Sequence, residues 1–453
     1  MPARPQFDFS QWEIKSMPLP RVRAMKVFLS STGKDLKPYR KRAAEALERL
    51  GTQTGRIEVC EARPEDPLVE CLKKVEQCDL FVGIYAYRYG YIPSGEEKSI
   101  IELEYEHAKK LDKPCFYFLV DEKIKWFEEY KEGEPGQSKL KSFKAKLQEE
   151  IMVDWFTTTL DLEIKVATDI GRYLVKHNNK SLIKIYLSDL NLSSVPSWIL
   201  DISHLQELYL DWNQLFSLPK TFGSLSALKT IDLRVNQLTS LPESFGQLQN
   251  LQTLYLFGNQ LRFLPESFGN LVNLKELYLE ENQLRSLPET FGQLANLKEL
   301  SLWGNQLITL SESFGQLQNL QTLYLYGNQL RFLPETFHRL VNLQALDLGG
   351  NHFTFLPETI GQLQNLETLW LHSNKLSSLP ESFFHLTDLK ELDLSSNQFT
   401  TLSKSFGQLT NLQKLDLTTN KLESLPESFE TLTNLKELVI DASLMSLPVV
   451  QNL

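Results

Sequence analysis

Three short stretches near the N-terminus gather hydroxyl, guanidinium and carboxylate groups: Ser30-Ser31-Thr32-Gly33-Lys34, Tyr87-Arg88-Tyr89-Gly90 and Ser99-Ile100-Ile101-Glu102-Leu103-Glu104. Together they offer hydrogen-bond donors and acceptors for a polar ligand, and a carboxylate beside it. The first stretch ends like a phosphate loop. Yet no G-x-x-x-x-G-K-[ST] occurs, and Thr32-Gly33-Lys34 lacks the upstream glycine, so no internal ATPase switch is encoded in that form. Ser99-x-x-Glu102 carries a second reading: in a capping box the serine and glutamate satisfy orphan N–H groups at the start of a helix. Cys60, Cys71, Cys78 and Cys115 show neither C-x-x-C nor metal-ligand spacing, and read as buried free thiols with no metal.

These stretches need a frame that brings them together. Lys26-Val-Phe-Leu29 is a short apolar strand, followed by an amphipathic helix over Asp35 to Leu50. A weak strand is expected at Ile57 to Cys60, a helix over Asp66 to Gln77, and at Asp79 to Tyr85 an apolar strand of the kind buried on both faces. A helix over Ser99 to Leu111, a strand over Cys115 to Val120, a Lys/Glu-rich helix over Ser138 to Glu150, a strand near Trp155 and Phe156, and a helix over Leu160 to Lys176 complete the series. Alternating β and α elements with right-handed crossovers predict a doubly wound parallel sheet of flavodoxin-like layout. Ligands of such sheets sit at the C-terminal ends of the strands. That rule places Ser30, Ser31 and Thr32, then Tyr87, Arg88 and Tyr89, and the N-terminus of the Ser99 helix around one crevice.

The residues at these strand ends carry a resemblance. Val27-Phe-Leu-Ser-Ser-Thr-Gly-Lys-Asp-Leu36 resembles the opening strand and loop of TIR domains, and more closely a bacterial TIR-like domain family of unknown function. Val82-Gly-Ile-Tyr-Ala-Tyr-Arg88-Tyr89-Gly90 and Ser99-Ile-Ile-Glu102-Leu-Glu104-Tyr105-Glu-His-Ala108 are similar to two further phrases of that family, and the match runs from Met25 to Lys176. The last helix also resembles nucleoside deoxyribosyltransferases, whose catalytic glutamate aligns with Glu102. The resemblance implies a TIR-like fold, NAD or a nucleoside as substrate with no cofactor assigned, and Glu102 as the catalytic carboxylate with Glu104 as the alternative. It also implies nucleotide-binding roles for Ser30, Ser31, Thr32, Arg88, Tyr89 and Ser99, and self-association through this domain. A carboxylate suits the cleavage of an N-glycosidic bond, because it can stabilise or trap an oxocarbenium-like state or position the 2-hydroxyl. Glu104 stands where the transferases carry a small residue, and the other acidic or amide groups of their pocket have no match here.

From Leu182 onward one phrase recurs. Leu251-Gln-Thr-Leu254-Tyr-Leu256-Phe-Gly-Asn259-Gln-Leu261 returns every 23 residues, with Asn213, Asn236, Asn259, Asn282, Asn305, Asn328, Asn351, Asn374, Asn397 and Asn420 in strict register. This is the leucine-rich repeat pattern, and with Leu190 and Ser443 in the outermost asparagine slots it predicts about twelve coils of a solenoid. Within L-x-L, period-2 alternation points the leucines inward and the middle residue outward onto a concave parallel sheet. The outward positions collect Tyr255, Phe257, Tyr278, Trp303, Tyr324, Tyr326 and Trp370, an aromatic stripe suited to a protein ligand. The repeats resemble the intracellular L-P-x-x-[FI]-G-x-L class of signalling scaffolds, which bind other proteins.

The chain then divides into an arm (1–24), a TIR-like α/β domain (25–177) and a leucine-rich repeat domain (178–453). Residues 1–177 carry 30 basic and 30 acidic side chains, so the whole net charge of −10 falls on the repeat. An acidic surface is ill suited to phosphates, which excludes nucleic acid as its partner. No signal peptide and no long apolar run is present, so neither secretion nor a membrane is expected, and the chain reads as cytoplasmic. Two readings stay open: a sensor whose α/β domain is an effector enzyme in bacterial defence, and a non-catalytic scaffold.

Overall fold

The computed structural model describes residues 25–33, 35–54, 67–124, 131–150, 153–177 and 183–445. The expected arm and the expected strand at Ile57 to Cys60 lie outside them. The first part is a five-stranded, wholly parallel sheet of order β2-β1-β3-β4-β5, built from β1 (Lys26–Ser31), β2 (Gln53–Thr54), β3 (Leu80–Tyr85), β4 (Cys115–Val120) and β5 (Val153–Phe156). That order is the flavodoxin-like one. β3 lies at the centre and is buried along its whole length, as its unbroken apolar run requires.

Helices α1 (Lys37–Arg49) and α5 (Thr159–Lys176) cover one face. Helices α2 (Pro67–Gln77), α3 (Ile100–Lys110) and α4 (Gly136–Glu150) cover the other, over a core rich in rings: Phe81, Tyr85, Tyr105, Tyr117 and Phe143. The start of α5 is fixed by Thr158, whose hydroxyl accepts from the Asp161 N–H at 3.0 Å. Glu163 of α5, fully buried, is paired with Arg49 of α1 at 2.6 Å, which locks the two helices together. Cys78 and Cys115 are free thiols, but Cys71 is disulfide-bonded, so the free-thiol reading fails there. Cys60 lies outside the described residues.

The second part is one parallel sheet of twelve three-residue strands, from β6 (Lys184–Tyr186) to β17 (Glu437–Val439), stacked in chain order. The register never slips: Leu254, Leu277, Leu300 and Leu323 are successive partners, all fully buried. Ten of the twelve strands, β7 to β16, are followed by a turn anchored by the asparagine. Asn305 shows the pattern: its Oδ1 accepts from the Leu284 N–H at 3.0 Å, while its Nδ2 donates to Leu279 O (2.9 Å) and Leu302 O (3.0 Å). One side chain thereby joins its own coil to the one before. Beyond the last asparagine Asp441 substitutes, its carboxylate accepting from the N–H groups of Thr419 and Asn420 at 3.0 and 3.3 Å.

Short 3-10 turns return the chain on the opposite side. Their phenylalanines stack into a ladder, Phe222 to Phe337, with ring planes within 2–3° and centroids 5.9–6.3 Å apart. Ile360 interrupts it, and farther on the rings of Phe384, Phe406 and Phe429 are tilted at 59° and 36°. Five of the six ladder phenylalanines, all but Phe337, are followed by a glycine that is needed for space: a Cβ on Gly269 would lie 2.2 Å from the Thr290 carbonyl oxygen of the next coil. At the other end α5 lies over the first coil, with Gly171 so close to Trp198 that a Cβ there would meet the indole at 2.6 Å. One buried apolar cluster therefore runs from α5 into the solenoid.

Candidate functional site

The loop after β3, the start of α3 and one face of α4 enclose an open cavity of about 660 Å³. Tyr89, Glu97, Lys98 and Glu102 line one side, and Ser138, Lys139, Ser142, Phe143 and Lys146 the other. The α4 residues Lys139, Ser142, Phe143 and Lys146 stand at i, i+3, i+4 and i+7, a single helical face. That spacing was legible in the sequence, but the density of Lys and Glu around it reads as an ordinary solvated helix.

Glu102 is the central group. Its carboxylate accepts a hydrogen bond from the Tyr89 hydroxyl, and Lys146 Nζ lies 3.9 Å from its Oε1. Burial, and then the hydrogen bond to Glu102, push the Tyr89 hydroxyl up to about 12, so it stays a donor at neutral pH. Lys146 also pairs with Glu106 at 2.7 Å, and Lys98 does so at 2.6 Å from the other side. Partial burial opposes ionisation of Glu106, but the two ammonium groups outweigh it and hold its carboxyl below the usual range. The capping-box reading of Ser99 and Glu102 is corrected: Ser99 is the N-cap but makes no side-chain capping bond, and the Glu102 carboxylate is committed to Tyr89. The carboxylate thus faces the cavity, with a hydroxyl, an ammonium and the Phe143 ring around it.

Of the residues expected in one crevice, Tyr89 and Glu102 line this cavity, and the others do not. Ser30 lies within β1 and donates to Glu104 at 2.6 Å inside the core. Thr32 donates to Asp35 at 2.6 Å, and Ser31 Oγ is buried without a hydrogen-bond partner among the described residues. Arg88 lies 3.9 Å from Glu132, whose other oxygen accepts from the Tyr89 N–H at 2.7 Å and so shapes the loop that carries Tyr89. Ser99 is fully buried.

Glu104 sits behind the cavity. Burial pushes its carboxyl up to about 7, against the opposing Ser30 hydrogen bond and the more distant Lys74 charge. A carboxyl raised from its ordinary 4.5 favours the folded state while protonated, and that contribution is lost as pH rises from about 4.5 through about 7. The expected result is that Glu104→Gln flattens part of the fall in stability over this window, by on the order of 3 kcal/mol at its upper end. Urea midpoints of both proteins at pH 5 and pH 7.5 measure this; an identical fall in both would refute it.

On the sheet face of the repeat, Tyr255 stacks on Tyr278 at 5.0 Å, Tyr324 on Trp370 at 6.4 Å, and Tyr326 on His372 at 5.3 Å. Phe257, Trp303, Tyr324, Tyr326 and Trp370 are half-buried, as is Tyr255, but Tyr278 is only 7% exposed. Its expected availability is corrected: the neighbouring Tyr255 ring covers it. A second apolar set lies just beyond the asparagines, where Phe263, Phe332 and Phe355 are 51–60% exposed. These follow Leu-x or Phe-x at the strand exit, a position the L-x-L alternation does not reach.

Residues 26–171 match the family model described as a domain of unknown function (DUF4062). Residues 218–307 and 337–440 match a leucine-rich repeat region, and 310–353 and 204–225 match two further leucine-rich repeat models. No curated protein matches the chain. Among solved structures it is similar to Toll in the Toll–Spatzle complex of Drosophila: 29% identity, TM-score 0.53, over 62% of this chain and 39% of that one. It is also similar to the leucine-rich repeat ectodomain of the receptor kinase GASSHO1/SCHENGEN3 from Arabidopsis thaliana, in complex with CASPARIAN STRIP INTEGRITY FACTOR 2, at 21% identity and TM-score 0.52, over 84% of this chain and 53% of that one. A leucine-rich repeat protein of Leptospira interrogans matches at 29% identity and TM-score 0.39, over 60% of this chain and 93% of its own. The first two likenesses bear on the solenoid fold.

Proposed function

We propose that this chain, an N-terminal domain of unknown function (DUF4062) followed by leucine-rich repeats, is a cytoplasmic sensor whose repeat captures a protein and whose α/β domain cleaves an N-glycosidic bond of NAD or a nucleoside. Leucine-rich repeats are protein-interaction domains, and the half-buried rings on the sheet face supply the anchor residues that dominate such interfaces. For the α/β domain the single supporting observation is Glu102: a carboxylate facing a 660 Å³ cavity, oriented by a tyrosine hydroxyl and flanked by an ammonium group. A carboxylate held in this way stabilises positive charge developing on a ribose. No helix among the described residues is long and apolar enough to cross a membrane.

The test is release of free base from NAD and from nucleosides by the full chain, at increasing protein concentration, since TIR-type sites assemble between neighbouring copies. Release that rises faster than concentration would support both the chemistry and the self-association. A chain inert at every concentration, with or without a repeat ligand, would favour the scaffold reading. For the repeat, changing Trp303 and Tyr326 to alanine together is expected to weaken binding of a captured protein by about 2 kcal/mol or more while leaving the melting temperature nearly unchanged. Both rings are half-buried and outside the leucine core. Binding that survives the double change would sink the sheet-face assignment.

A further inference from the structure

The charge of the repeat is not spread evenly around it. Outward on the sheet stand the first and third residues of each strand and the second residue beyond it. From β6 to β17 these rows hold eleven acidic and three basic residues, leaving aside Asp441, which the last turn uses. The rest of the repeat holds fifteen acidic and fourteen basic residues, so it is close to neutral and the sheet face carries the charge.

Cations of the chain itself meet these carboxylates only toward the two ends. Lys184 pairs with Glu207 and Arg234 with Asp232, each at 2.8 Å, and in the last coils Lys414 lies 3.5 Å from Glu391 and 3.9 Å from Glu437. The six strands between, β9 (Thr253–Tyr255) to β14 (Thr368–Trp370), present Glu276, Glu280, Glu299 and Asp347, and apart from His372 no side chain able to carry positive charge. Lys275 and Lys298 come one residue before two of these strands, but both are exposed at the entry edge, where Lys275 donates to Gln252 at 3.1 Å. Glu276 and Glu299 are registered partners, so two carboxylates stand side by side on neighbouring strands, a placement that costs stability. Burial and the Glu276 charge raise the Glu299 carboxyl, against a hydrogen bond from Tyr278. Glu280 Oε2 is shielded from solvent without a hydrogen-bond partner, with the Ser301 hydroxyl and the like charges of Glu299 and Glu281 around it. The same central coils carry the aromatic stripe.

We propose that the central coils bind a positively charged segment of the protein partner, whose lysine or arginine side chains meet Glu276, Glu280 and Glu299 while its apolar parts rest on the neighbouring rings. The proposal rests on the reading of the sheet face as the partner surface and adds the partner's charge. A cation arriving between Glu276 and Glu299 removes the repulsion between them, and supplies there what the chain provides for itself toward both ends. A neutral or acidic segment would cover the same carboxylates without compensating them. A second copy of this chain offers no positively charged domain, since residues 1–177 are balanced and the repeat is acidic.

The test pans random peptides displayed on phage against the full chain, with the enriched peptides then synthesised. They are expected to carry net positive charge, and their affinity should fall at least about tenfold for the double change Glu276→Gln, Glu299→Gln. The control is Glu243→Gln, Glu289→Gln, which removes two exposed charges from the 3-10 turns of the opposite side and should leave affinity within about twofold. On the unaltered chain, affinity should fall at least about tenfold between roughly 50 mM and 500 mM salt. The sheet-face variant should melt no lower than the parent, because it relieves a pair of like charges; were it unfolded, Glu280→Gln and the salt dependence decide. Enriched peptides without net positive charge, or equal losses in the sheet-face variant and the control, would overturn the proposal. Peptides lost on changing Trp303 and Tyr326 to alanine but indifferent to the two glutamines leave the sheet face as the partner surface and sink only the basic partner. If no enriched peptide depends on any sheet-face residue, both fail.

Discussion

Glu102→Gln is expected to lower base release by about 10²-fold or more while the melting temperature barely moves. The loss follows from electrostatics: an amide presents no net negative charge to an oxocarbenium-like state, and removal of one preorganised stabilising group typically costs a rate factor of roughly 10² to 10³. Stability is spared because glutamine can still accept the Tyr89 hydrogen bond, and because Glu102 makes no helix cap to lose. Lys146 loses little, being held by Glu106 at 2.7 Å. The measurement is steady-state base release beside a thermal melt. Activity that persists in Glu102→Gln but disappears in Glu104→Gln would transfer the role to the buried carboxylate behind the cavity.

A single asparagine in the middle of the solenoid should matter more for folding than any leucine methyl group. Asn305→Ala is expected to destabilise the repeat by about 3–5 kcal/mol, because it strips hydrogen bonds from one buried N–H and two buried carbonyls at once. Each buried backbone group left without a partner costs about 1–3 kcal/mol. The damage sits at a junction, since those partners belong to two adjacent coils. In a stack held together by neighbour contacts, weakening one junction lets the two halves unfold separately. Urea unfolding should therefore show a lower midpoint and a shallower or two-step transition. A single transition of unchanged slope, shifted by less than about 1 kcal/mol, would show that water replaces the amide.

The period of the asparagines and the L-x-L alternation made the solenoid legible before any coordinates, because a repeat contacts only its neighbours and local pattern is nearly the whole of its structure. The parallel sheet of the first domain was legible for a related reason: β3 is apolar at every position and α3 and α5 carry clear amphipathic spacing. The cavity was less so. Tyr89 and Glu102 stood out through their motifs, but Ser138, Lys139, Ser142 and Lys146 come from α4, brought opposite α3 only by packing of Phe143 against Tyr85 and Tyr105. Ser30 misled because a strand end in sequence proved to be strand interior in space, its hydroxyl spent on Glu104. Tyr278 misled because alternation reports which face a side chain is on, and the neighbouring ring that covers it, Tyr255, belongs to the preceding coil.

The broken phenylalanine ladder gives the solenoid two mechanical characters. From Phe222 to Phe337 the rings repeat with the same spacing and nearly the same plane, so any flexing of these coils must shift every stacked pair together. Past Ile360 the rings meet at dissimilar angles, and each junction yields on its own. The ring ladder is thus regular on the side of the α/β domain and irregular toward the other end, while the sheet register runs unbroken through both.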